Sequence, residues 1–327
     1  MSFVSKFPKK SLHSQPLFAI ATRFLTLFPE KPTSAHYDEL VNDAGRSGDF
    51  ETLRQLLTQR VKDGFYNTNN TFRFITNDNA SLSSIDALAE TLARIDKGPA
   101  RKSAYDALVS RLCKLGRVEE SLRVVDAMAR GNHGLSASTF HPVIDALTRK
   151  NRVEDAWRVV DGMRSLGVSP DVRIYNDFLM RHCFAAELGP AAGVLTRMEE
   201  QGMKADPRTY DALVLGACRA GKVEGALVVL RRMEDDGVAM GLSTRLYVID
   251  GLLSLGYYDQ AVKFARIYIG KDAWLDSETF GCLATRFIKL RKMDMAKLVL
   301  EEMKTRGIGV RAKLKDVMQN LGIESQA

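Results

Sequence analysis

The sequence contains few cysteines, no long apolar run and none of the common catalytic motifs. Its four cysteines include no C-x-x-C pair, so we expect no bound metal. No stretch reaches the roughly 18 apolar residues that a membrane-spanning helix requires, which argues against a membrane span. The motifs G-x-x-x-x-G-K-S/T and G-x-S-x-G are also missing, and we predict a binding protein without cofactor or small-molecule substrate, not an enzyme.

Acidic residues are absent from residues 1–29, which are basic, contain several serines and are partly amphipathic. These features are typical of an organellar transit peptide, and we predict such a peptide with its linker over residues 1–33. Arg23 divides the apolar stretch, which argues against a secretory signal. We expect import into the mitochondrion, with the plastid as the alternative.

Most of the net charge of +7 comes from this leader. Residues 1–29 supply four positive charges, from Lys6, Lys9, Lys10 and Arg23. Only about three are left for the rest of the chain. A nucleic-acid-binding surface must therefore be sought as a local row of lysines and arginines, and not as a uniformly basic surface.

A 35-residue period organises the remaining sequence. Matching aromatic residues recur at this interval or a multiple of it, namely Tyr105, Phe140, Tyr175, Tyr210 and Phe280. We therefore predict eight units over residues 34–311, followed by a capping helix over 312–327. The predicted units are 34–68, 69–101, 102–136, 137–171, 172–206, 207–241, 242–276 and 277–311.

Each unit has the pattern of two amphipathic helices. In the unit 137–171, apolar residues at i, i+3, i+4 and i+7 occur twice, with a polar break between them. Glycine or asparagine in "LGRVEE", "KNRVED" and "AGKVEG" predicts left-handed helix stops at these breaks. Recurrent methionines at unit position 27 predict core packing. Because one unit cannot bury its apolar stripe alone, we predict an all-α fold, an α-solenoid whose first helices form a concave face.

The motif "TYDALVLGACRAGKVEGALVVLRRMEDDGV", with its unit length of 35 and "SPD" at 169–171, resembles the pentatricopeptide repeat family. The resemblance covers residues 34–311 and implies a right-handed superhelical solenoid of the plant organellar P class, without a catalytic extension. A tetratricopeptide solenoid is the nearest alternative, but its units are normally 34 residues long. The regular spacing of thirty-five argues against that alternative.

Members of this family bind single-stranded RNA and read about one base per unit through the residues at unit positions 5 and 35. The resemblance therefore implies one clear base-reading pair, Asn176 with Asp206, which in the family favours uracil. Other candidate pairs are less typical of the family, namely His141 with Asp171, Asp106 with Ser136, Asp211 with Gly241, and Asp38 with Thr68. The pairs Leu246 with Asp276 and Gly281 with Arg311 do not fit the common combinations either.

Basic residues recur at unit position 13, near the end of each first helix. They are Arg46, Lys114, Arg149, Arg219 and Lys289, with Phe184 and Ser254 as exceptions. Stacked at one position per unit, these cations would contact successive phosphates of an RNA strand and make its affinity dependent on salt. The alternative is that each cation only offsets the dipole of its own helix, which contributes about 0.3–1 kcal/mol.

Cysteine recurs at unit position 12, as Cys113, Cys183 and Cys218, which predicts buried free thiols in the first helices. His182 and Cys183 are adjacent on a helix and point about 100° apart, so they do not form a nucleophile pair. We therefore predict a single-stranded RNA-binding protein that acts in organellar RNA metabolism without catalysis. The alternative is a protein-interaction scaffold, or a subunit of an organellar ribonucleoprotein such as the mitochondrial ribosome.

Overall fold

Every regular element that the structure describes is a helix. The computed structural model describes residues 32–78, 84–270 and 272–322, and this part of the chain contains sixteen helices and no strand. The all-α prediction is therefore confirmed. The predicted transit peptide lies outside the described residues, apart from the last residues of its linker.

The chain divides into two compact bodies. One contains the described residues up to Arg111 together with Asp126–Gly134, and the other contains Leu112–Val125 and the described residues from Leu135 onward. The helices of the first body are α1 (Ser34–Arg46), α2 (Phe50–Lys62) and α3 (Ile85–Ala93), and α2 packs against both others. The division passes through α4 (Pro99–Lys114) and α5 (Val118–Arg130).

The second body is built from successive helix pairs. Its helices are α6 (Ala137–Arg149), α7 (Val153–Ser165), α8 (Val172–Phe184), α9 (Leu188–Glu200), α10 (Pro207–Arg219), α11 (Val223–Asp235), α12 (Leu242–Ser254), α13 (Tyr258–Ile267), α14 (Ala273–Lys289), α15 (Met293–Thr305) and α16 (Ala312–Asn320). Helices α6, α8, α10, α12 and α14 pack one against the next, and each also packs against the helix that follows it in the chain. These first helices therefore form one layer, although the unit boundaries themselves stay a prediction.

The helices end where the sequence predicts. Gly116, Asn151 and Gly221 each have a positive φ, of 77°, 60° and 70°, so the left-handed stops are confirmed. Acidic residues open the following helices and complement their dipoles, as with Glu154 and Asp155 in α7. Two first helices begin before their predicted units, α4 at Pro99 and α14 at Ala273. At the start of α14, the carboxylate of Asp272 accepts a hydrogen bond from the Leu275 amide.

The core consists of residues that recur at fixed unit positions. The methionines at position 27 are buried, and so are small residues that recur at position 20, namely Ser121, Ala156, Ala191, Ala226, Ala261 and Ala296. These methionines are Met128, Met163, Met198, Met233 and Met303. Cys113, Cys183 and Cys218 are also buried and free, which confirms the prediction made for them.

Glycine allows adjacent first helices to approach closely at two places. A Cβ atom on Gly216 of α10 would lie 2.8 Å from Sγ and 3.2 Å from Cα of Cys183 on α8. A Cβ atom on Gly251 of α12 would lie 2.8 Å from Cβ of Cys218 on α10. The cysteine of one unit therefore packs against the glycine backbone of the next unit. The 35-residue sequence period alone does not reveal this contact.

Changing Gly216 to alanine is expected to destabilise the protein by about 1–3 kcal/mol, because the new methyl group overlaps both the side chain and the backbone of Cys183. Alanine otherwise favours a helix over glycine by about 1 kcal/mol. Gly193→Ala in α9 is the matched control, since its Cβ would meet nothing within 4 Å. Urea unfolding should show a loss for the first variant and a gain for the second. Equal midpoints would contradict the close approach.

Candidate nucleic-acid interface

The predicted base-reading positions meet at the junction between consecutive units. We use junction for three residues, at position 5 of one unit, position 35 of the same unit and position 3 of the next. In the junction of Asn176, Asp206 and Thr209, Asn176 Nδ2 donates to Asp206 Oδ1 over 2.8 Å, and Thr209 Oγ1 donates to Asn176 Oδ1 over 2.8 Å. Because a carboxylate only accepts hydrogen bonds, these contacts fix which way the amide points.

Asp206 belongs both to this junction and to the start of α10. Its carboxylate accepts from the Thr209 amide over 2.9 Å, and its own amide donates to Thr209 Oγ1 over 3.1 Å, which forms a capping box. Asn176 retains one N–H and one oxygen lone pair for a further partner. However, Asn176 is only 1% exposed. A base would reach this amide only after neighbouring side chains move.

Asp177, the residue after Asn176, is also buried. Its Oδ1 lies 3.4 Å from Nη2 of Arg208, while Oδ2 is buried without a hydrogen-bond partner among the described residues. Burial raises the pKa of Asp177 to about 6, and the charge of Asp145 raises it further against the opposing effect of Arg208. The carboxyl group next to the predicted base reader is therefore unusually easy to protonate.

The junction of His141 and Asp171 places an imidazole at position 5. Nε2 of His141 lies 2.8 Å and 3.0 Å from the two carboxylate oxygens of Asp171, so this nitrogen carries the hydrogen. The neutral ring then has its lone pair on Nδ1. Asp171 also caps α8 by accepting from the Ile174 amide over 3.1 Å. This unit presents different chemistry from the amide of Asn176.

The two other acids at position 5 of the middle units also have partners. Asp106 accepts from Lys102 Nζ over 2.5 Å, and Asp211 accepts from the hydroxyl groups of Ser243 and Thr244. Ser136 lies in the other body from Asp106, and its hydroxyl is 2.9 Å from that of Ser138. Both carboxylates are half-buried and accept only, so each would suit a donor group on a base and repel a phosphate.

Asp38 lies in an ion pair inside the first body. Its Oδ1 lies 2.6 Å from Nη1 of Arg60, which is 0% exposed, and the hydroxyls of Thr68 and Thr71 donate to the same carboxylate. Arg60 stands at position 27, where most units have methionine. The contacts of Asp38 therefore serve the packing of its own body.

The last two predicted pairs differ from the rest. Leu246 offers no polar group at position 5, and the Thr279 hydroxyl at position 3 of the next unit is buried without a partner among the described residues. Asp276 instead lies 3.5 Å from the buried Arg245. Arg311, at position 35 of the last unit, pairs with Glu278. Neither unit presents a polar pair in the arrangement of Asn176 and Asp206.

All five predicted phosphate-contacting cations are exposed, at the last residue of their helices. Lys114, Arg149, Arg219 and Lys289 belong to the second body, while Arg46 belongs to the first. Among the described residues, Lys114 and Lys289 have no ion-pair partner. Arg149 pairs with Asp145 over 2.8 Å and Arg46 with Asp43, and both pairs are exposed. Such exposed pairs contribute little and exchange readily for a phosphate.

Phe184 interrupts this row of cations. Helix α8 ends on this residue, which is 55% exposed, and Cζ of Arg219 lies 4.1 Å from the centre of its ring. Arg219 forms no ion pair within the part of the chain that the structure describes. An exposed aromatic ring thus lies between two helix-end arginines, Arg149 and Arg219.

The buried thiols of Cys183 and Cys218 are unreactive. Burial raises the pKa of Cys183 to about 11 and that of Cys218 to about 12, so both thiols stay protonated near neutral pH. His182 directs Nδ1 toward Glu187 over 2.8 Å and away from the neighbouring Cys183.

Across the described ranges, no three His, Cys, Asp or Glu side chains are placed to hold a metal ion. No described helix is long and apolar enough to cross a bilayer.

Comparison with known proteins identifies the family. Two models described as PPR repeat match residues 201–234 and 278–308 respectively, and one described as pentatricopeptide repeat-containing protein matches residues 89–176. A mitochondrial pentatricopeptide repeat-containing protein of Arabidopsis thaliana is 41% identical over 337 residues, which cover 99% of this chain and 96% of the relative. The chain belongs to the pentatricopeptide repeat family.

Two further pentatricopeptide repeat proteins are similar to this chain. A second mitochondrial member from Arabidopsis thaliana is 49% identical over 287 residues, which cover 88% of this chain and 82% of the relative. The crystal structure of the pentatricopeptide repeat protein PPR10 with an 18-nt psaJ RNA element is 20% identical, with a TM-score of 0.46. That match covers 90% of this chain, which spans 42% of the length of PPR10.

The sequence analysis missed a threonine that several junctions of this pentatricopeptide repeat protein share. Threonine recurs at unit position 3, as Thr71, Thr139, Thr209, Thr244 and Thr279. Three of these threonines donate to the residue at position 5 of the preceding unit. The recurrence is visible in the sequence, but its meaning depends on side-chain contacts between residues about thirty positions apart.

Proposed function

We propose that this pentatricopeptide repeat protein binds single-stranded RNA in the mitochondrion. It acts in RNA metabolism by occupying an RNA segment and so protecting it or presenting it to other machinery, without catalysis of its own. Membership of the family supports RNA as the ligand, and the names of the two Arabidopsis relatives support the mitochondrion as the compartment. The leader over residues 1–33 would direct the import.

The row of helix-end cations is the observation that carries this proposal. Lys114, Arg149, Arg219 and Lys289 are exposed at the ends of first helices, one in each of four units. A row that repeats with the units fits a polymer of regularly spaced phosphates. Cations that served only to offset helix dipoles could also pair with carboxylates. Among the described residues, Lys114, Arg219 and Lys289 form no such pair.

Base discrimination is confined to a few units in this proposal. The junction of Asn176 and Asp206 pairs an amide with a carboxylate, and it would accept uracil through the remaining N–H and oxygen lone pair. His141, Asp106 and Asp211 would each contribute a weaker preference. The units that contain Asp38, Leu246 and Gly281 would contact the RNA without reading a base.

Selection from a random single-stranded RNA pool, followed by sequencing, tests this division of roles. We expect a short enriched sequence in which uracil dominates one position. The variant Asn176→Ser should change the preference at that position only, with overall affinity within about threefold of wild type, because one base contact among many is altered. If no position shifts, Asn176 does not read a base.

A scaffold within a larger ribonucleoprotein is the second candidate. The internal hydrogen bonds of the junctions and the burial of Asn176 favour it, because few base-reading groups are exposed in the free protein. The same selection separates the two functions. Retention of the pool without any enriched sequence would favour contact by shape and phosphate, and failure to retain any RNA would favour a protein partner.

A further inference from the structure

An exposed aromatic side chain lies in the middle of the cation row. Helices α6, α8 and α10 pack consecutively, and their last residues are Arg149, Phe184 and Arg219. At this position, Phe184 cannot offset the dipole of α8 as a cation would. With 55% of its surface exposed, its ring also contributes little to the core. Neither helix capping nor packing explains a phenylalanine at this position.

The guanidinium group of Arg219 lies over the ring of Phe184. Its Cζ is 4.1 Å from the ring centre, which is within the range of a cation–π contact. Since Arg219 forms no ion pair among the described residues, its N–H groups can still contact an anion. More than half of Phe184 remains exposed in spite of this cover. A second flat group can therefore reach the ring.

A nucleobase beside a phosphate fits this arrangement. Bases stack on aromatic side chains whatever their sequence, and arginine contacts the adjoining phosphate. Asn176 lies eight residues before Phe184 on α8, or about 12 Å at 1.5 Å per residue, so a base on Phe184 would be a different one from a base on Asn176. Phe184 is also far more accessible than Asn176, which is 1% exposed.

We propose that Phe184 and Arg219 form a stacking site for one nucleobase of a single-stranded RNA, in which Arg219 contacts the adjacent phosphate. This inference rests on the proposed function. The site binds any base, and it adds one nucleotide contact to those made at the unit junctions.

An apolar surface for a protein partner is the competing explanation. Leu255 and Leu290, which directly follow α12 and α14, are 42% and 46% exposed. A protein-docking surface would use these leucines as well as Phe184, whereas base stacking requires an aromatic ring. Leu255→Ala is therefore a matched control for Phe184→Ala, since both remove an exposed apolar side chain at a first-helix end.

Two probes distinguish these explanations, a single-stranded 20-nucleotide oligouridylate and an oligomer of equal length that keeps the phosphates but lacks the bases. For the full chain, Phe184→Ala should weaken binding to oligouridylate about 5- to 150-fold, because stacking contributes about 1–3 kcal/mol per base. The same variant should bind the abasic oligomer as wild type does. Phe184→Trp should retain wild-type affinity for both probes, and Leu255→Ala should do the same.

The salt dependence provides a second measurement. Arg219→Gln should reduce the slope of log K against log salt by about 0.7, while Phe184→Ala should leave it unchanged. Equal losses of Phe184→Ala on both probes, or equal losses for Leu255→Ala and Phe184→Ala, would overturn the stacking site. Wild-type affinity of Phe184→Ala for oligouridylate would overturn it too. If the wild-type chain binds neither probe, the proposed function itself fails, together with this site.

Discussion

Changing Arg60 to methionine should destabilise the first body by about 3–5 kcal/mol. The substitution leaves the carboxylate of Asp38 buried without its cationic partner, and an uncompensated buried charge costs this much in proteins. Arg60 is 0% exposed and lies 2.6 Å from Asp38, so water does not take its place readily. Hydrogen exchange of α1 and α2 would measure the loss, since these helices carry the two residues.

The double variant Asp38→Leu with Arg60→Met is the control for this prediction. It uses residue types that the chain itself places at positions 5 and 27, as Leu246 and Met163 show. Replacing a buried ion pair by apolar residues of similar size is often neutral or stabilising. We therefore expect the double variant to recover most of the lost protection. If the single and double variants are equally unstable, the ion pair is not the cause.

Removing three charges from the cation row should weaken RNA binding strongly. For Lys114→Gln, Arg149→Gln and Arg219→Gln together, the slope of log K against log salt should fall by about 2 units, at about 0.7 per phosphate contact with a single strand. The affinity at 0.15 M salt should fall by about one to two orders of magnitude. Binding isotherms at several salt concentrations would give both quantities.

A second triple variant separates the row from net charge. Arg158, Arg232 and Lys297 are exposed on second helices, and each pairs with an acid on its own helix or next to its end. Changing these three residues to glutamine removes the same charge from outside the row. We expect the slope to stay near that of wild type. If both triple variants lose the same slope, attraction to RNA is diffuse and the row has no special role.

The fold followed from the sequence because its causes are local. The period of thirty-five residues, the stops at Gly116 and Asn151, and the buried methionines each depend on residue types within one unit. These local preferences agree with one another in most units from 102 onward, although Ala186 and Arg291 hold the left-handed stops of two units. Such agreement makes helix positions predictable even without a known structure.

The contacts between units did not follow, because they join residues about thirty positions apart. Thr209 donates to Asn176, and Gly216 lets α10 approach Cys183, but neither contact has a signature within a single unit. Within the first unit, Arg60 stands where most units have methionine, and the folded structure alone shows that Asp38 is its partner. The sequence did not predict the burial of Asn176 either, since position 5 of a unit predicts an accessible side chain.

Equilibrium binding of the full chain to a mixed-sequence, single-stranded 20-nucleotide RNA, compared with the same RNA as a duplex, tests the central claim most directly. The structure predicts tighter binding to the single strand, with log K falling linearly against log salt at a slope of about −3. This slope corresponds to the four cations of the row in the second body, Lys114, Arg149, Arg219 and Lys289, at about 0.7 each. No binding to the single strand, or binding that does not depend on salt, would contradict this account.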